Sequence, residues 1–92
     1  MMFTVKDFID EMTELRNRAV HEAYESKEVE DLLEELATLY ELAKDLFWLD
    51  DKEGLNNIKW YYFECYHIME REYHACVEHE EELERIINMF ID

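Results

Sequence analysis

The chain has 92 residues with one Gly, no Pro and 49% apolar side chains, which suits a single domain spanning 1–92 with a modest core. That composition excludes a disordered acidic tail and a sheet built on tight turns. Its 25 Asp and Glu against 9 Lys and Arg leave a formal net charge of −16, a field that repels nucleic acid and anionic membranes and attracts basic surfaces.

Helix one is expected to start at Thr4, an N-cap whose partner Asp7 lies three residues on. It should run to about Tyr24. Its core stripe is Val5, Phe8, Met12, Leu15 and Ala19, with Ile9 and Val20 beside it. The opposite stripe is Asp7, Glu11, Glu14, Arg18, Glu22 and Glu25.

Ser26 is read as the cap of helix two, with Glu28 favourably placed at the positive end of its dipole. The core stripe is Val29, Leu32, Leu33, Leu36, Leu39, Tyr40, Ala43, Leu46 and Phe47; the outer face carries Asp31, Glu34, Glu41 and Asp45. Gly54 is expected to end this helix as a C-cap.

Helix three organises the molecule. Asn56 is its expected cap, and no Pro or Gly breaks the stretch to Ile91. Its stripe is Leu55, Ile58, Tyr62, Cys65, Met69, Tyr73, Cys76, Leu83, Ile87 and Phe90. A second set, Trp60, Tyr61, Phe63, Tyr66 and Ile68, widens the apolar surface at the front. One helix of that length is about 54 Å long, against roughly 25 Å for a compact globule of this size. The expected fold is therefore all-α: an elongated, antiparallel three-helix arrangement with a long C-terminal helix. The run Glu78-His79-Glu80-Glu81-Glu82 either bends that helix or crosses open solvent. Beyond it, Leu83, Ile86, Ile87, Met89, Phe90 and Ile91 form an apolar end. Either another helix folds back over this end or two copies pack there as a symmetric homodimer, the favoured reading.

Enzyme chemistry finds little support. Glu64 and His67 have the Glu-x-x-His spacing of helical di-iron sites, but no second copy of the motif occurs. Cys76 and His79 share a face without the further ligands structural zinc needs. No metal and no cofactor is expected, and His67 and His74 read as surface or interface residues. Ser26 is the one serine, and one Gly makes no phosphate-binding loop. Cys65 and Cys76 lie about 16 Å apart along one helix, too far for a disulfide. As reduced core thiols they fit a cytoplasm. The start MMFTVKDF has no secretory character, and no apolar run is long enough to span a membrane.

The aromatic run Trp60, Tyr61, Tyr62, Phe63 and Tyr66 would stack bases only with cations to hold the backbone. Lys59 and Arg71 alone are near, so direct nucleic-acid binding is not expected. An aromatic band too wide for one stripe does suit a contact surface.

Acidic pairs at i and i+4 accumulate instead: Asp7–Glu11, Asp10–Glu14, Glu30–Glu34, Asp31–Glu35, Glu41–Asp45, Glu78–Glu82 and Glu80–Glu84. Together they cost on the order of 2 kcal/mol at low salt. Sixteen net charges over about 54 Å is roughly one per 3.4 Å, and a duplex carries one per ≈ 1.7 Å of axis. Two chains side by side would approach that density; two end to end would not. Rigid carboxylates at such spacing can fill a groove lined with Lys and Arg. The phosphate-mimicking surface is assigned to Asp7, Glu11, Glu14, Glu22, Glu25, Asp31, Glu34, Glu41, Asp45, Glu78, Glu81 and Glu82.

In length, acidity and helical layout, with its start MMFTVKDFIDEMTELRNRAVHEAYESKEVEDLLEELA, the chain resembles the Arn family of antirestriction DNA mimics from T-even bacteriophages. The resemblance covers the whole chain and rests on no signature motif. It implies a dimer whose carboxylates imitate a bent duplex. The implied target is the modification-dependent restriction nuclease McrBC, with other host DNA-binding proteins open to the same surface in the host cytoplasm. Two other readings stay open: a helical adaptor or regulator that binds a basic protein through its aromatic band, and a metal-dependent helical enzyme.

Overall fold

The computed structural model describes residues 3–90. These form three helices: α1, Val5–His21; α2, Ser26–Phe47; and α3, Lys52–Phe90. The body measures 63 × 21 × 18 Å, an elongated shape set by the 39 residues of α3.

The start of α1 follows from the capping box. Thr4 Oγ1 accepts from the Asp7 N–H at 3.2 Å, and Asp7 Oδ2 accepts from the Thr4 N–H at 2.8 Å. The helix stops at His21, three residues short of Tyr24. Continuing the stripe Phe8, Met12, Leu15, Ala19 would swing Glu22 onto the core face. Instead the N–H groups of Glu22 and Ala23 both close on the Arg18 carbonyl, at 2.9 and 3.0 Å.

Ser26 is not the cap of α2. It is the first helical residue, behind an extended Glu25 that makes no side-chain cap bond. The Ser26 N–H and hydroxyl both donate to the Glu80 carboxylate of α3, each at 2.8 Å. A carboxylate from another helix thus satisfies the exposed amide end and its dipole. No local pattern encodes this.

Gly54 does not end α2, and Asn56 does not cap α3. The second helix ends at Phe47, and Asp51 takes the cap position of the third: its Oδ1 accepts from the Gly54 N–H at 2.9 Å. Gly54 is buried inside the first turn of α3 and has no positive φ. Its service is close approach, since a Cβ there would come within 2.6 Å of Val5 Cγ2 and would also strike the Asp51 carboxylate.

The core is apolar throughout. Phe8, Met12, Leu15 and Ala19 meet Val29, Leu32, Leu36 and Ala43 over Leu55, Ile58, Cys65 and Met69, and no polar or charged residue is buried among the described residues. The predicted stripes supply this core, with five departures: Val20 on α1, Leu46 on α2, and Leu83, Ile87 and Phe90 at the far end of α3 lie exposed. Edge-on aromatic contacts seal the margins, Phe8 on Phe47 at 5.7 Å and Tyr40 on Tyr62 at 4.7 Å.

α3 is one continuous helix through Glu78–Glu82. At about 1.5 Å per residue it is about 58 Å long. Every residue from 81 to 90 is exposed, so about 15 Å of helix overhangs the bundle. Leu83, Ile86, Ile87, Met89 and Phe90 are uncovered there; neither α1 nor α2 folds back over them. Ile91 lies outside the described residues.

Candidate protein-binding surface

All twelve predicted carboxylate residues are exposed. Five of them converge. Glu11, Glu14, Glu22, Asp31 and Glu34 line a groove of about 830 Å³ between α1 and α2, floored by Leu15, Leu32 and Leu39. Glu28 and Glu35 complete its walls, and Arg18 is the one Lys or Arg in the lining. Sequence reasoning left Glu28 and Glu35 out of the site. They stand three residues before and four after Asp31, on the same helix face, and that spacing was the signal that could have found them.

The other seven lie elsewhere. Asp7 is spent partly on the α1 cap. Glu25 holds the start of α2 through its carbonyl, which accepts from the Glu28 and Val29 N–H groups at 3.1 and 3.3 Å. Glu41 and Asp45 sit toward the C-terminal end of α2, where Asp45 borders a shallow hollow with Trp48 and Leu49. Glu78, Glu81 and Glu82 stand on the far part of α3. The Glu80–Ser26 contact ties that part of α3 to the start of α2.

Cations temper this surface at a few points. Lys27 Nζ lies 3.2 Å from Asp31, Lys44 Nζ 3.0 Å from Glu41, and Lys6 Nζ 3.1 Å from Asp10. Arg18 stands 4.0 Å from both Glu22 and Glu35, across the groove. Such exposed pairs contribute little to stability. They relieve part of the like-charge repulsion along α1 and α2 without altering the net −16. Bonding to Asp31 raises the Lys27 pKa, and bonding to Glu41 raises that of Lys44. The two donors of Ser26 hold the Glu80 carboxyl below its ordinary value.

The aromatic run divides into two roles. Tyr61 turns to α1, where its hydroxyl meets Thr13 Oγ1 and accepts from Arg16 Nη1 at 3.2 Å. Tyr62 packs on Tyr40. Trp60, Phe63 and Tyr66 face outward, 61%, 40% and 36% exposed.

Cys65 is buried and Cys76 half-buried, and burial pushes both thiols up, so neither is a ready nucleophile at neutral pH. Glu64, His67 and His74 are exposed, with His74 Nε2 3.6 Å from a Glu70 oxygen. Among the described residues no three His, Cys, Asp or Glu side chains are grouped to hold a metal ion, and no helix is long and apolar enough to cross a membrane. No family model, curated protein or solved structure matches the chain.

Proposed function

We propose that the chain is a DNA mimic. In this reading it occupies the DNA-binding site of a host restriction nuclease, McrBC in the family it resembles, and so protects phage DNA in the host cytoplasm. It acts by occupancy, with no catalytic step. One observation carries the reading: twelve outward carboxylate residues stand on a helical rod 63 Å long and 21 × 18 Å in section. Sixteen net charges along that axis is about one per 4 Å; two chains side by side would bring it near the duplex value of ≈ 1.7 Å, and two end to end would not. Carboxylates carried on helices need only their side chains ordered on contact and no backbone, which lowers the entropy cost of binding. They imitate phosphates and no base edges, so contacts would be of the positioning kind.

The reading includes a homodimer joined through the overhang of α3, where apolar side chains are uncovered. It also includes antiparallel packing. Phe8 meets Phe47 while Arg18 approaches Glu35, and Tyr40 meets Tyr62 while Ser26 meets Glu80. Those contact orders support α2 running against both of the others.

The test is competition with duplex DNA for a panel of host DNA-binding proteins, McrBC included, at several salt concentrations. Displacement of DNA from at least one, weakening as salt rises, is expected. Binding that DNA never displaces would overturn mimicry. It would favour the second reading, a helical adaptor for a basic protein, which the exposed rings of Trp60 and Phe63 support.

A further inference from the structure

We infer that the outer aromatic face of α3 is an arginine-stacking surface for a basic segment of a partner protein. It rests on the reading that the partner's surface is cationic, and on nothing else in it. Trp60, Phe63 and Tyr66 present their rings outward from one rigid helix. Tyr62 joins them, 5.5 Å from Phe63 and 6.0 Å from Tyr66, with Tyr40 of α2 behind it. Rings braced by neighbours in this way offer large contact area at small entropy cost, the quality that makes aromatic side chains dominate interfaces.

Charge selects the occupant. Glu64 stands one turn from Trp60, and Glu70 one turn from Tyr66. A second copy on this face would set its own Glu64 and Glu70 against these two, and a neutral apolar segment would strip water from the carboxylates without pairing them. A cation meets both features at once. The chain already uses its rings so: Lys44 Nζ lies 5.3 Å from the Tyr40 centroid and Lys59 Nζ 5.7 Å from that of Trp60. Among the described residues, the rings of Phe63 and Tyr66 carry no such cation, and they lie open. Guanidinium suits them better than ammonium. It is planar, weakly hydrated and stacks flat on a ring while its edge N–H groups reach a carboxylate.

The test titrates intact protein with arginine and lysine peptides of equal length and charge, followed by calorimetry and tryptophan emission. The arginine peptide should bind about three- to tenfold tighter. The double variant Phe63→Leu/Tyr66→Leu keeps apolar bulk on a helix surface and should stay folded. It should bring that ratio close to one, with the arginine peptide losing more affinity than the lysine peptide. Equal affinities in the unaltered protein overturn the inference, as does an arginine preference that survives the double variant. A shift of oligomeric state in the double variant overturns it too, because the face then belongs to a second copy. Loss of DNA competition with the preference intact removes mimicry alone; competition without the preference removes this inference alone.

Discussion

At the scale of single residues, Gly54 and Asp7 show how much a position can carry beyond its type. Replacing Gly54 with Ala would normally favour a helix by about 0.5–1 kcal/mol. Here the new methyl would push on Val5 and displace the Asp51 cap, at about 1–3 kcal/mol for overpacking. Gly54→Ala should therefore lower stability by about 1–2 kcal/mol, measured by denaturant unfolding. An unchanged or raised midpoint would show that Val5 moves aside freely. Asp7 is a surface carboxylate and half of a capping box at once, so its removal confounds charge with helix stability. The side chains of Glu11, Glu14 and Glu34 make no hydrogen bond or ion pair among those described, and they are the cleaner positions for neutralisation.

Among the elements, the three helices and their buried stripes were legible because apolar spacing is a local signal. Phe8, Met12, Leu15 and Ala19 occupy one face whatever they pack against. The caps of α2 and α3 were not legible. Ser26 has the chemistry of a cap, yet its hydroxyl is claimed by Glu80, 54 residues later. Gly54 has the chemistry of a terminator, yet a neighbouring helix claims its missing side chain. The site divides in the same way. Exposure of each carboxylate followed from periodicity, whereas the meeting of Glu11, Glu14, Asp31 and Glu34 in one groove depends on how α1 lies against α2. The Glu80 bridge also sets an acid response. Its carboxyl is lowered in the folded state, so its stabilisation is present above the ordinary value of about 4.5 and is lost as pH falls through the lowered one. Glu80→Gln should melt earlier than the unaltered protein at neutral pH, and the two should converge in acid. Equal melting at neutral pH would mean the bridge contributes nothing.

For the whole molecule, length and charge act together. Neutralising Glu11, Glu14 and Glu34 as Gln should leave the fold intact or slightly firmer, because like-charge pairs are relieved. Binding to a DNA-binding target should weaken, and its log–log salt slope should flatten by up to about one per carboxylate lost from the contact. Full affinity and an unchanged slope would reduce the groove to a solubilising surface. The overhang of α3 should join two copies into an elongated dimer, seen by small-angle and light scattering. Since Ile87 touches no core, Ile87→Glu should give a folded monomer. A monomer at tens of micromolar without that substitution would sink the dimer.

The wholly apolar interior has one more effect. Because no charged side chain is buried among the described residues, folding carries little ion-desolvation penalty, and its main electrostatic term is repulsion among outward carboxylates. Added salt screens that repulsion, so the melting temperature should climb with ionic strength. Attachment to a cationic partner should loosen over the same range. Fold and complex would thus answer one titration with opposite signs, and the conditions that strip this protein from its target would leave it more firmly folded.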